Sequence, residues 1–221
     1  HDQPQQALVH LQQALQAQRL PGGYWLAVVD ALTGLGRHNE AQQWLTKARR
    51  RVLPAHELIE RAQANNPPAD VQEQMFGHFQ REELDACRAI THPLLTQYPA
   101  FGQGWKMMAY LFQMNGEYRP ALEAGQEAAF WLPGDPEVFN NLGISARSVN
   151  ELALAEQGYR QALALDPNRV DTHYNLSALL YEQGRRREAE PLCRRALELR
   201  PNYPAALNNL ANMLRERGEL A

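Results

Sequence analysis

The sequence predicts an all-α fold, a superhelical solenoid in which antiparallel helical hairpins stack side by side. Five residue columns recur at a step of 34 residues: Pro133, Pro167 and Pro201; Leu142, Leu176 and Leu210; Asn141, Asn175 and Asn209; Ala121, Ala155 and Ala189; Ala128, Ala162 and Ala196. Between the prolines, the apolar residues follow a helical spacing. A hairpin repeated at this period cannot bury its apolar face alone, so neighbouring units stack and leave a concave groove.

The first helix of each unit carries one apolar stripe. In residues 136–149 this stripe contains Phe139, Leu142 and Ala146. Gly143 lies where the second helix of the unit should cross the first, because a small residue lets two backbones approach. Small residues hold the same position in the other units: Ala109, Ser177 and Ala211.

A turn and a second helix complete each unit. Residues that tolerate a left-handed backbone mark the turns: Gly116, Asn150, Gly184 and Gly218. The second helix is expected to bury Ala155, Tyr159 and Ala162 in one unit and Ala189, Cys193 and Ala196 in the next. Proline then ends the helix, because it lacks the amide that would continue the hydrogen-bond ladder.

The repeats divide the chain into three parts. Residues 1–53 should hold an unpaired N-terminal helix and one hairpin, and residues 54–67 form an insert with room for one short helix over 56–63. Residues 68–221 should hold four hairpins and a C-terminal half-repeat, with Pro93 expected to kink one helix.

Both terminal helices lack a partner in the sequence. Residues 4–18 supply only a second-type helix and residues 204–219 only a first-type helix, so two copies of the chain could complete each other head to tail. The chain opens with His1 rather than Met and stops inside a repeat, so we expect a piece of a longer protein.

Composition restricts the class of partner. The net charge is −3, which argues against a nucleic-acid surface, and no apolar run approaches the roughly 20 residues of a membrane span. The two cysteines are far apart in the sequence and make no disulfide framework, which fits a reducing compartment. A cytoplasmic location is therefore expected, with the periplasm as the alternative.

Catalytic, cofactor and metal sites are not expected. His56 and Glu57 resemble the start of a helical zinc motif, but Glu60 stands where that motif needs histidine. Cys87 and Cys193 occupy core columns, where thiols behave as small hydrophobes.

Two repeats carry a family resemblance. The series Phe139, Leu142, Gly143, Ala155 and Tyr159 resembles the tetratricopeptide repeat, and the series from Trp105 to Pro133 meets the same pattern in part. The resemblance implies a protein-binding superhelix without catalytic residues.

A narrower resemblance rests on the asparagine column and on the segment from Tyr98 to Lys106, which look like the repeats of protein O-GlcNAc transferases and bacterial SPINDLY-type proteins. In those proteins a repeat array precedes a glycosyltransferase domain, and inner-face asparagines hold the acceptor polypeptide. The resemblance implies a substrate-recruiting array. Upstream, Met107, Glu73 and Ala27 interrupt the column.

The inner face of the first helices is the expected partner site, since asparagine can donate to and accept from an extended peptide backbone. Its predicted residues are Lys106, Tyr110, Gln113, Asn140, Asn141, Ile144, Arg147, Tyr174, Asn175, Tyr181, Asn208, Asn209, Asn212 and Arg215. The alternative is that the asparagine column only bonds neighbouring helices. The alternative function is a free-standing scaffold or co-chaperone in envelope assembly, secretion or signalling, which could self-associate head to tail.

Overall fold

The computed structural model describes residues 5, 8, 9, 23–51 and 53–216. Within these residues the chain forms helices joined by short turns, and no strand is present. The helices, in chain order, are α1 (Gly23–Gly34), α2 (His38–Arg49), α3 (Ala55–Ala64), α4 (Ala69–Gln80), α5 (Leu84–Gln97), α6 (Gly102–Met114), α7 (Tyr118–Trp131), α8 (Pro136–Ser148), α9 (Leu152–Leu165), α10 (Val170–Glu182), α11 (Arg186–Leu199) and α12 (Pro204–Glu216). The all-α class predicted from the sequence is confirmed.

The chain divides into two compact units. Unit 1 contains the residues up to Leu111 together with Phe130–Leu132, and unit 2 contains Phe112–Ala129 and the residues from Pro133 onward. The division falls within α6 and α7.

In unit 1, α1 pairs with α2 and α4 pairs with α5. The helix α3 occupies the segment that was expected to form a short extra helix, and it packs against both α1 and α2. Its buried residues Leu58 and Ala62 join a core with Val28, Leu32 and Leu45.

In unit 2, α8 pairs with α9, α10 pairs with α11, and α12 packs on α11. The small-residue columns form the centre of this core, because Ala155, Ala162, Ala189 and Ala196 are all fully buried. Tyr159 is the largest side chain in it.

The turns adopt the left-handed backbone that the sequence predicts. Gly116 and Gly184 have φ values of +74° and +75°, and Asn150 has +63°. Gly218 lies outside the described residues. Glu82 has φ +58° at the matching turn between α4 and α5, where the sequence offers neither glycine nor asparagine.

Helix α5 runs through Pro93, and α11 runs through Pro191. The predicted N-terminal helix over residues 4–18 lies almost wholly outside the described residues. Among the helices that the structure does describe, none is long and apolar enough to cross a membrane.

Candidate functional site

Three helices of unit 2 carry most of the predicted partner-binding residues. They are the first helices of successive hairpins, α8, α10 and α12. On α8, Asp135 caps the N-terminus by accepting a hydrogen bond from the Glu137 amide at 2.9 Å, and Pro136 stands at the first helical position. This local sequence sets the start of α8.

Asn140 departs from the prediction that it faces the groove. Only 6% of the surface of Asn140 is exposed to solvent. Its Oδ1 accepts hydrogen bonds from Thr172 Oγ1 at 2.9 Å and from Asn175 Nδ2 at 3.2 Å, both on α10. The amide is buried because it joins two neighbouring hairpins.

Asn141 and Asn175 also take part in contacts between helices. Asn141 Oδ1 accepts a bond from Asn140 Nδ2 at 3.3 Å, and its carbonyl oxygen accepts one from Gln113 Nε2 at 2.7 Å. Gln113 donates a second bond to Ser145 Oγ at 2.6 Å. Within the asparagine column, Asn175 therefore bonds a neighbouring helix, as in the alternative that the sequence left open, whereas the side chain of Asn141 bonds Asn140 on its own helix.

The amides on α12 have a different environment. Asn208 is exposed, and Asn209 and Asn212 are half-buried. Arg215 Nη2 donates to Asn212 Oδ1 at 3.1 Å. Within the part of the chain that the structure describes, the side chains of Asn208 and Asn209 make no hydrogen bond.

Acidic residues that the sequence reasoning missed flank this face. Arg147 forms an ion pair with Glu182, and Tyr181 Oη donates to Glu216 Oε1 at 2.7 Å. The hydrogen bond to Glu216 raises the pKa of Tyr181, and the same bond, with Arg186, lowers the pKa of Glu216. Glu182 and Glu216 stand 34 residues apart, so the repeat period was the signal that could have found them.

The aromatic side chains of this face are partly engaged in packing. Tyr174 lies against Tyr203, with ring centroids 5.0 Å apart, and Arg200 lies over the Tyr203 ring. Burial raises the pKa of Tyr203 to about 12. Ile144 is half-buried against the core of unit 2.

Lys106 and Tyr110 belong to unit 1. Tyr110 packs edge-on against Phe79, with ring centroids 5.1 Å apart, and both Lys106 and Tyr110 are half-buried. Gln113 is the predicted residue of α6 that lies in unit 2.

The two thiols are structural. Cys87 and Cys193 are fully buried, and burial raises the pKa of each thiol. Cys193 Sγ donates to the Ala206 carbonyl oxygen at 3.1 Å, which fixes α12 on α11. A buried thiol with a raised pKa holds little thiolate, the reactive form.

Comparison with known proteins identifies a repeat family and distant relatives. Residues 170–203 and 192–221 each match a tetratricopeptide repeat family model. The chain is 27% identical over 128 residues to the mouse Protein O-mannosyl-transferase TMTC1. The alignment covers 56% of this chain and 14% of that protein. This chain is also 37% identical over 82 residues to the Photosystem I assembly protein Ycf3 of Cyanophora paradoxa. That alignment covers 36% of this chain and 47% of Ycf3. The chain thus spans less than half the length of these relatives.

Solved structures share the fold. MamA aligns with a TM-score of 0.62 at 15% identity, over 67% of this chain and 81% of its own. YrrB, described as a TPR protein with an unusual peptide-binding site, aligns with a TM-score of 0.57 at 15% identity, over 90% of this chain and 96% of its own.

Proposed function

Because this chain carries tetratricopeptide repeats, we propose that it is a protein-binding module that holds an extended polypeptide on the polar face of α8, α10 and α12. The carrying observation is the row of amides on α12. Asn208 and Asn209 have no side-chain hydrogen bond to another described residue, and Asn212 bonds only to Arg215 on its own helix.

This row suits a peptide backbone. Each asparagine offers two donors and an acceptor, so it can bond N–H and C=O groups without selecting a side chain. Tyr181 and Arg215 border the row and offer the aromatic and guanidinium surfaces that are enriched at the centres of interfaces. Glu182 and Glu216 balance the nearby arginines, so a partner segment of low net charge fits best.

Two structural neighbours support a peptide partner. The first TPR of Spaghetti (RPAP3), bound to the HSP90 peptide SRMEEVD, aligns with a TM-score of 0.51 at 21% identity, over 53% of this chain and 93% of its own. The other is YrrB, whose described site binds peptide. These alignments share the fold of this chain, whose own α12 amides supply the groups proposed to bind a peptide.

The finer proposal is that the module recruits substrates for a larger bacterial glycosyltransferase-like protein. The asparagine column and the similarity to TMTC1, a Protein O-mannosyl-transferase, support it. The sequence of the complete gene product is the test. A nucleotide-sugar-binding domain on the same polypeptide is expected, and a complete protein without one would end this proposal.

The alternative is a free-standing scaffold or co-chaperone. The alignment with YrrB over 96% of that chain favours it, because an array of about this size occurs there as a chain of its own. A clamp for C-terminal carboxylates needs several cations, however. Lys106 is the one lysine among the predicted groove residues, and of the two arginines there, Arg147 is already paired with Glu182.

A displayed library of random 16-residue peptides, panned on the 221-residue chain, tests the binding face. The triple variant Asn208→Ala, Asn209→Ala, Asn212→Ala is expected to weaken selected peptides by about tenfold or more, since several backbone bonds are lost together. The matched control is Gln157→Ala with Gln161→Ala, two exposed amides on α9.

Affinities are measured by fluorescence anisotropy, and thermal melts followed by circular dichroism verify that each variant folds. Selected peptides that bind the triple variant and the control equally well would show that the α12 amides are not the site.

A further inference from the structure

The end of α2 carries three cations that no carboxylate of the described residues neutralises. Lys47, Arg50 and Arg51 are all exposed to solvent. Within residues 23–51 and 53–216, none of their side chains forms an ion pair or donates a hydrogen bond. The helix dipole accounts for part of this placement, because its negative end favours cations in the last turn.

The acidic residues of α1 and α2 are engaged by other arginines. Asp30 Oδ1 lies 2.8 Å from Arg61 Nε, and Glu40 Oε1 lies 2.6 Å from Arg37 Nε. The sequence before α1 contains one acidic residue, Asp2, and one arginine, so it adds no net charge. The three cations therefore form a basic patch in a chain whose formal net charge is −3.

Two tryptophans hold two of these cations in place. The rings of Trp25 on α1 and Trp44 on α2 have centroids 5.3 Å apart, and both side chains are half-buried against the core of unit 1. Lys47 Nζ lies over the Trp44 ring and the Arg51 guanidinium lies over the Trp25 ring, each 5.0 Å from the centroid. The negative face of an aromatic ring attracts such a cation. The basic patch is thus partly ordered before a partner binds, which reduces the entropy lost on binding.

This geometry suits carboxylates better than nucleobases or lipid. A guanidinium that stacks on a ring by its face still offers the N–H groups of its edge, and these match the two oxygens of a carboxylate. A nucleobase or a membrane would need open tryptophan rings, whereas Lys47 and Arg51 lie over those of Trp44 and Trp25. The negative net charge of the chain also disfavours a nucleic acid.

We propose that the basic patch of Lys47, Arg50 and Arg51 binds an acidic segment of a partner polypeptide, whose glutamate or aspartate side chains pair with the cations. The segment need not end at these residues, because the pairing uses side-chain carboxylates. The basic patch belongs to unit 1, whereas the amide row on α12 belongs to unit 2. This second site is therefore independent of the proposed peptide-backbone site.

The probe is a twelve-residue peptide of glutamate, aspartate, glycine and serine, acetylated at its N-terminus and amidated at its C-terminus. It is titrated into the 15N-labelled 221-residue chain, whose four tryptophans give indole N–H signals in NMR. The signals of Trp25 and Trp44, assigned from the variants Trp25→Phe and Trp44→Phe, are expected to shift and saturate. The Trp105 signal is the internal reference, since its indole N–H donates to the Pro99 carbonyl oxygen at 2.8 Å.

Two comparisons separate charge recognition from other binding. A second peptide, with asparagine and glutamine in place of the acids, is expected to leave the indole signals unchanged. Raising the salt concentration is expected to weaken binding of the acidic peptide, because salt screens exposed charges.

The triple variant Lys47→Gln, Arg50→Gln, Arg51→Gln is expected to weaken binding of the acidic peptide by about tenfold or more, because three charge-assisted contacts are lost together. The matched control replaces three exposed arginines of α11 and changes the net charge equally: Arg187→Gln, Arg194→Gln, Arg195→Gln. The control should bind the peptide as the parent does, and thermal melts verify that both variants fold.

Several results would overturn the proposal. The absence of a saturable shift at millimolar peptide is one, and equal affinity for the uncharged peptide is another. An equal loss of affinity in the α11 control would show that net charge, and not the basic patch, attracts the peptide. Loss of binding in the Asn208→Ala, Asn209→Ala, Asn212→Ala variant would place the peptide on α12.

Other anionic partners are tested with the same variants. Vesicles that contain phosphatidylserine and an oligouridylate RNA are titrated in parallel with the acidic peptide. Tighter binding of either one through the three cations of α2 would assign the basic patch to a membrane or to RNA and would also overturn the proposal.

Discussion

Gly158 and Gly143 mark the place where the backbones of α8 and α9 approach most closely. A Cβ atom on Gly158 would lie 2.8 Å from the Phe139 carbonyl oxygen and 3.1 Å from the Gly143 amide nitrogen. These neighbours are backbone atoms, which cannot turn aside as a side chain does. The sequence predicted the crossing at Gly143, whereas the matching role of Gly158 emerged only from the structure.

Gly158→Ala is expected to destabilise the chain by about 1–3 kcal/mol, because the strain of overpacking exceeds the gain of about 1 kcal/mol in helix propensity. Gly134→Ala is the control, since a Cβ atom there meets nothing within 4 Å. Urea unfolding followed by circular dichroism measures both. A Gly158→Ala chain as stable as the parent would mean that α8 and α9 separate at little cost.

Glu82 shows how tertiary packing overrides residue preference. Its φ of +58° costs an L-residue roughly 1–2 kcal/mol, yet the chain makes the same turn there as at Gly116 and Gly184. The neighbouring helices α4 and α5 are held by their own buried residues, among them Met75 and Cys87, so the turn follows their geometry.

At the scale of elements, a buried amide side chain on α2 holds the end of α3 in place within unit 1. Gln42 on α2 is fully buried, and its Nε2 donates to the carbonyl oxygens of Ala62 and Asn65 at 3.1 and 3.0 Å. Its Oε1 accepts from the Ala100 amide at 2.6 Å. One side chain thereby satisfies backbone groups from the end of α3 and from the segment that precedes α6.

Gln42→Leu is expected to destabilise unit 1 by about 2–5 kcal/mol, because three buried backbone groups lose their partner. The Ala100 amide should lose its protection from hydrogen exchange, which mass spectrometry of the peptide containing it would detect. Gln63→Leu, at an exposed position of α3, is the control. Retained protection at Ala100 in the Gln42 variant would show that another group satisfies that amide.

At the scale of the whole molecule, most helix contacts join elements that are close together in the chain. In unit 2, α8 contacts α9 and α10, and α12 contacts α11. In unit 1, α3 contacts α1 and α2. Stability in such an array is roughly a sum of terms from units and their neighbours.

Destabilisation should therefore remain local. In the Gly158→Ala variant, exchange is expected to accelerate in α8, α9 and α10, while α1 to α3 keep the rates of the parent. The Gln42→Leu variant should give the reverse pattern. Equal acceleration of every helix in either variant would show that the two units unfold as one.

The sequence by itself determined the helical hairpins, their period and most of the core, because each hairpin is specified by residues within one repeat. It also located the left-handed turns that carry glycine or asparagine. These features depend on local spacing, which a single sequence displays.

Only the tertiary structure decided what the polar residues do. It buried Asn140 against Thr172, paired Arg147 with Glu182, and left Asn208 and Asn209 without such bonds. These differences arise because a side chain's hydrogen-bond partners come from the neighbouring hairpin, and repeat positions that are equivalent in sequence have different neighbours in the fold.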